Sequence, residues 1–215
     1  MTSASPLTLA ALDSRLSVPT RQLAAPGPDR AQLLRMLASA VRVPDHGKRV
    51  PFRFLRIAGD ARQALADAAI ARLREREPNP GDGPVEKLRS RFVLPPLTIA
   101  VIARLGADEK IPESERFSTA SCVCLLLLQA AQAEGFGAQW LTGWPAYDRP
   151  FLENTLGLSA DEKLVGTIAI GTATVEVPER DRPDPRALLD DWSGGSGFSR
   201  DRERLAAEAA PTGQA

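Results

Sequence analysis

Histidine is nearly missing from this chain: His46 is the single one in 215 residues. Ser–His or Cys–His nucleophilic catalysis would therefore depend on that residue alone. Cysteine is almost as scarce. Cys122 and Cys124 stand two apart in an apolar run, a spacing that suits no mutual disulfide, and with one His they make no ordinary zinc site. Both are expected in the core, in a reducing, cytoplasmic compartment. Neither sign of charge is in excess, with 27 Lys+Arg against 27 Asp+Glu, so no net field draws nucleic acid or an anionic membrane. Long apolar runs are lacking too. The longest, Ala120 to Ala131, falls short of a membrane span, and the N-terminus has no basic region or apolar stretch of a secretory signal. There is no GxxxxGK(S/T) phosphate loop, no GxGxxG turn after a strand and no GxSxG elbow. Function is left to local clusters.

What is present reads as alternating helices and strands in one domain, residues 6–192, between polar termini (1–5 and 193–215) expected to be disordered. Pro6 to Arg15 reads as a short helix. Asp29 can cap a second, Arg30 to Val41, with Leu33, Leu34, Leu37, Ala40 and Val41 on one face, and Pro44 stops it. Phe52 to Ala58 has imperfect strand alternation. Asp60 begins an Ala-rich helix to about Glu77; PNPGDGP then turns the chain into a short helix near 85–92. Leu97 to Ala103 is apolar on both faces, as a central strand should be. Pro112 opens a long helix to Glu134 whose middle, CVCLLLLQAA, is apolar all round and belongs in a core or a subunit interface. Trp140 to Gly143 is a short strand or turn. Arg149 to Leu156 is a helix with Gly157 as its C-cap, and Leu164 to Gly171 is the last strand. A short helix over 200–210 has little apolar surface to bury. Three or four strands among these helices make an α+β or α/β domain.

The densest chemistry lies in VRVPDHGKRVPFRF, Val41 to Phe54, which sets basic side chains and His46 around two prolines at a helix C-terminus. Arg15 and Ser17 follow the first helix in the same way. An Arg guanidinium offers a planar fork matched to phosphate, and a Ser hydroxyl adds a donor. Pro44 and Trp140 are flat apolar surfaces suited to an aromatic ligand. Each residue also has a plain structural use. Arg15 and Ser17 can solvate a helix end, Arg42 can complement the helix dipole, His46 can close a turn and Trp140 can fill a core.

The order RxS near residue 15, RxPDHGKxxPFRF, a core helix ending in GFGxxW and a final IAIG resembles the nitroreductase superfamily, over Leu9 to Pro185. It is most similar to the compact bacterial subgroup of NAD(P)H nitroreductases. The resemblance implies helices around a small central mixed or antiparallel sheet, and a homodimer with FMN at its interface. Three FMN patches are implied: Arg15, Leu16 and Ser17; Arg42 and His46; and Trp140, Leu141 and Thr142. It also implies NADH or NADPH as co-substrate, contacted by Ala130, Ala131, Gln132, Ala133, Glu134 and Gly135. Lys48 is a further candidate for stabilising flavin charge. Hydride would pass from NAD(P)H through flavin to a nitroaromatic, quinone or similar small acceptor, without a side-chain nucleophile, metal, nucleic acid or membrane. Leu16 stands where the subgroup usually has a second Arg, and Leu141 and Thr142 where Arg and Ser can occur. Those departures keep two alternatives open, a flavin- or anion-binding protein without turnover and a flavin dehydrogenase or oxidase of a biosynthetic intermediate.

Overall fold

The structure is a computed structural model that describes residues 9–190 and Trp192. The expected disorder at 1–5 and 193–215 and the short helix at 200–210 lie outside the described residues, as does the start of the first expected helix. The chain divides into two units at Val177/Pro178. In the second, the Asp184 side chain caps a single 3-10 turn at Pro185–Ala187, and Leu188, Leu189 and Trp192 are exposed.

The first unit is a five-stranded sheet with helices on both faces. In chain order it runs α1 (Leu9–Asp13), β1 (Leu23–Ala24), α2 (Arg30–Ala40), β2 (Phe52–Ala58), α3 (Ala61–Arg76), α4 (Asp82–Val93), β3 (Leu97–Arg104), α5 (Glu113–Ala133), β4 (Gly137–Leu141), α6 (Arg149–Leu156) and β5 (Glu162–Ala173). Every pairing is antiparallel: β2 on β3, β3 on β5, and both β1 and β4 on β5. The sheet is therefore antiparallel rather than mixed.

Local chemistry explains most boundaries. Asp29 and Gln32 form a reciprocal capping box at the start of α2, satisfying two otherwise orphaned N–H donors. Asp148 caps α6, and Gly157 ends it at φ +66°, a left-handed conformation that costs glycine no Cβ clash. The apolar run of β3 follows from its central place. Leu97, Ile99, Val101 and Ala103 join the core with α2 and α5, while Ala100 and Ile102 alternate into a second core with α3, α4 and α6.

The register of β3 on β5 shifts at Val101/Ile102, where partners change from Gly166 to Leu164 and leave Val165 as the extra residue of a bulge. Leu164 thus faces the α4 side, whereas Ile168 and Ile170 face α5. One expected core residue is not there. Cys124 is buried but Cys122 is exposed, because α5 leaves a stripe through Cys122 and Leu125 uncovered by this chain; Leu125 is 44% exposed.

Candidate functional site

After α1 the chain runs beside β4. The Val18 N–H donates to the Ala138 carbonyl (2.9 Å), and the Thr20 N–H donates to Gln139 Oε1 (3.0 Å), 119 residues away in sequence. This lacing carries Arg15 and Ser17 to the end of β4. There a cleft of about 370 Å³ is lined by Arg15, Ser17, Leu125, Leu128, Trp140 and Thr142. Arg15 Nη1 donates to Ser17 Oγ at 3.2 Å, so guanidinium and hydroxyl are held as one donor group. The fold thus brings the first and third expected patches together. Leu125 and Leu128 were not singled out from sequence as site residues. In an all-apolar helix no polar residue marks which face is open.

Trp140 owes its place to a missing side chain. A Cβ on Gly166 would lie 2.1 Å from Trp140 Nε1 and 2.6 Å from its Cδ1, so the indole lies directly over the Gly166 backbone. Its Nε1–H donates to the Val165 carbonyl at 3.4 Å. Leu141 alternates to the other face and packs with Val18, Leu23 and Ala169. Leu16 is half-buried and is not among the residues lining the cleft.

Arg91 of α4, unremarked in sequence, reaches this region from the opposite face of the sheet. Its Nη1 donates to the Thr142 carbonyl and its Nη2 to Thr167 Oγ1 at 3.3 Å. Burial lowers its pKa to about 10. Its Nε is buried without a partner among the described residues.

The second patch lies elsewhere in the same chain. Arg42 follows the C-cap of α2, exposed. His46 stands in a one-turn helix, with Nδ1 2.8 Å from Glu115 Oε2. The turn is held by Asp45, whose carboxylate accepts from the Arg49 and Val50 N–H groups at 3.2 and 2.7 Å. His46 lines a hollow of about 350 Å³ with Pro44, Glu115, Ser118 and Cys122 among its walls. Within one chain, therefore, His46 and Arg42 do not line the Arg15 cleft. Both hollows open along the uncovered stripe of α5.

The 130–135 stretch is divided in its surroundings. Ala130, Gln132 and Ala133 line a third hollow of about 350 Å³ with Leu12 and Arg15. Ala131 is fully buried and offers it no side-chain surface. Glu134 pairs with Arg35 at 2.8 Å; the hydrogen bond from Arg35 holds its carboxyl below the ordinary range. Gln132 Nε2 donates to the Ser14 carbonyl and hydroxyl (2.9 and 2.8 Å), tying α5 to the end of α1.

Among the described residues no group of His, Cys, Asp and Glu is placed to hold a metal ion, and no helix is long and apolar enough to cross a membrane. The Cys124 thiol is pushed up to about 12, chiefly by burial, so it is no ready nucleophile.

The chain is 30% identical over 173 residues to the protein named "Putative NAD(P)H nitroreductase YdjA" of Escherichia coli K12, covering 78% of this chain and 91% of that one. Its fold matches a nitroreductase-like family protein from Bacillus cereus, with a TM-score of 0.74, 21% identity, and coverage of 90% of this chain and 100% of that one. It also matches a variant of the FMN- and NADPH-dependent nitroreductase NfnB from Sphingopyxis sp. strain HMH, at TM-score 0.68 and 20% identity, covering 86% of this chain and 98% of that one. The profile of the nitroreductase family matches residues 12–172, a span that takes in β1 to β4, all of β5 but Ala173, and every residue lining the Arg15 cleft, and the chain belongs to that family.

Proposed function

We propose that this chain is an FMN-dependent oxidoreductase. It takes hydride from NADH or NADPH and delivers it to a nitroaromatic, quinone or similar acceptor, in the cytoplasm, as a homodimer with FMN between the subunits. One observation carries the reading: Arg15, Ser17, Trp140 and Thr142, from opposite ends of the domain sequence, converge on one cleft. The donor set fits the cofactor. The linked guanidinium and hydroxyl suit the phosphate or ribityl oxygens, while the indole, Leu125 and Leu128 offer an apolar bed for a flat ring. When bound, FMN supplies the two-electron chemistry between nicotinamide and acceptor. The chain's own part is to grip the anionic end, align the rings and exclude water, which demands no side-chain nucleophile.

The dimer reading rests on the face of α5 that this chain leaves open. Leu125 and Cys122 are exposed there. The Arg15 cleft lies toward one end of that stripe and the His46 hollow toward the other. A second copy packed on this face can bring its Arg42 and His46 to the first copy's Arg15. With Nδ1 engaged by Glu115, the His46 Nε2 is left to face the ligand. Names attached to relatives support the same chemistry: YdjA carries NAD(P)H in its name and NfnB both FMN and NADPH. Ala130, Gln132 and Ala133 then offer a small-residue surface near the nicotinamide.

Purified protein should be yellow, and its flavin absorbance should bleach when NADH or NADPH is added anaerobically. Colour without bleaching would favour a flavin-binding protein without turnover, the reading that Leu16 supports. A colourless protein that takes up no added FMN would reject the flavin assignment.

A further inference from the structure

The residue that no part of the expected site accounts for is Arg91. It is a half-buried cation with no carboxylate partner among the described residues: its guanidinium donates only to the Thr142 carbonyl and the Thr167 hydroxyl, and its Nε, itself buried, has no partner there. Burying a charge without an opposite charge is costly unless each donor is used. Here one donor is spent on the backbone carbonyl of Thr142, in the cleft wall. A trans peptide is planar, with its C=O and N–H pointing opposite ways. Because the Thr142 carbonyl, in the cleft wall, is turned to Arg91, the N–H of the same peptide, that of Gly143, is turned away from Arg91. That N–H donates to no group among the described residues. Gly143 holds the turn at φ +89°, where a side chain would be strained and its Cβ would lie 3.3 Å from Arg91 Nη1.

We propose that Arg91 is a positioning residue of the cleft: by holding the Thr142 carbonyl from behind, it presents the Gly143 N–H as a preset backbone donor to the ligand. The inference rests on the FMN reading and deepens it. Arg91 touches no ligand itself. It acts through one peptide, whose carbonyl is engaged before the ligand arrives, so the Gly143 N–H needs no reorganisation on binding.

The test uses the full chain, Arg91→Met, Arg91→Lys and FMN as probe. Binding is followed by quenching of flavin fluorescence, and the Gly143 amide by NMR of glycine-labelled protein. In wild type the Gly143 amide signal should shift on FMN addition. Arg91→Met should bind FMN about tenfold more weakly, the worth of roughly one hydrogen bond, and lose that shift. Arg91→Lys keeps a donor of similar reach and should stay within about threefold of wild type. Wild-type affinity and an unchanged shift in Arg91→Met would overturn the proposal, as would equal losses in the Met and Lys variants. Should Arg91→Met not fold, wild type decides, since a Gly143 amide that ignores bound FMN refutes the assignment and one that moves supports it. If wild type binds no FMN at all, the flavin reading fails first, and the two failures are told apart.

Discussion

Gly166 offers the sharpest test of how the cleft is built. Adding one methyl in Gly166→Ala places a carbon 2.1 Å from Trp140 Nε1, 2.6 Å from Cδ1 and 3.0 Å from the Leu141 carbonyl oxygen. The indole cannot shift by a few tenths of an ångström and clear it, because β5 lies beneath, and β4 is paired to β5 at Trp140↔Ile168. Overpacking of this kind costs about 1–3 kcal/mol. Losing the hydrogen bond from the indole to the Val165 carbonyl adds about 1 kcal/mol. We therefore expect about 2–4 kcal/mol of destabilisation, or roughly 5–15 °C in Tm for a chain of this size. Because the displaced ring is a cleft wall, FMN retention should fall as well. The assay is a double-mutant cycle with Trp140→Leu, read by thermal and urea unfolding: in the Leu background, Gly166→Ala should lose at least about 1 kcal/mol of its effect. Equal costs of Gly166→Ala in both backgrounds would refute the packing argument.

Other expectations follow from the polar contacts. Asp148, 4% exposed, accepts from Arg72 and Arg76 and caps α6; Asp148→Asn removes the charge those partly exposed cations share, Arg72 keeping Glu75, and should cost about 1–3 kcal/mol by urea unfolding. Hydrogen bonds from Arg72 hold the Asp148 pKa down at about 2, and those from Arg53 hold Glu162 at about 2. Depressed carboxylates contribute stability above their ordinary values of 3.8 and 4.5, and this is lost as pH falls toward 2. Urea midpoints should accordingly drop between about pH 4.5 and 2, and Glu162→Gln should flatten that slope; an unchanged slope would remove Glu162 from the account. Arg42→Ala should weaken FMN retention far more than it lowers Tm, and equal FMN affinity would return Arg42 to a role at the helix end. Asp29→Ala removes half of the α2 capping box and should cost about 1 kcal/mol by thermal unfolding without altering FMN affinity.

What the sequence determined by itself is whatever depends on near neighbours. Asp29 before α2, Gly157 after α6, the apolar run of β3 and the span of β2 are settled by caps, turns and side-chain alternation, and they stand where expected. The RxS and GFGxxW motifs likewise announced the family. Tertiary pairing alone decided the rest. β1, two residues long, has no pattern of its own and exists because Leu23 and Ala24 meet Ala173 and Thr172; β4 begins at Gly137, not Trp140, because its pairing with β5 begins there. Periodicity could not say that Cys122 and Leu125 face outward, since an all-apolar helix has no polar side to mark its exposed one. Nor could it single out Arg91, Gly166 or Glu115, each of which matters through a partner dozens of residues away. Local rules specify elements because their contacts lie within a turn or two, whereas a site is made of contacts that only the folded sheet brings within a few ångströms.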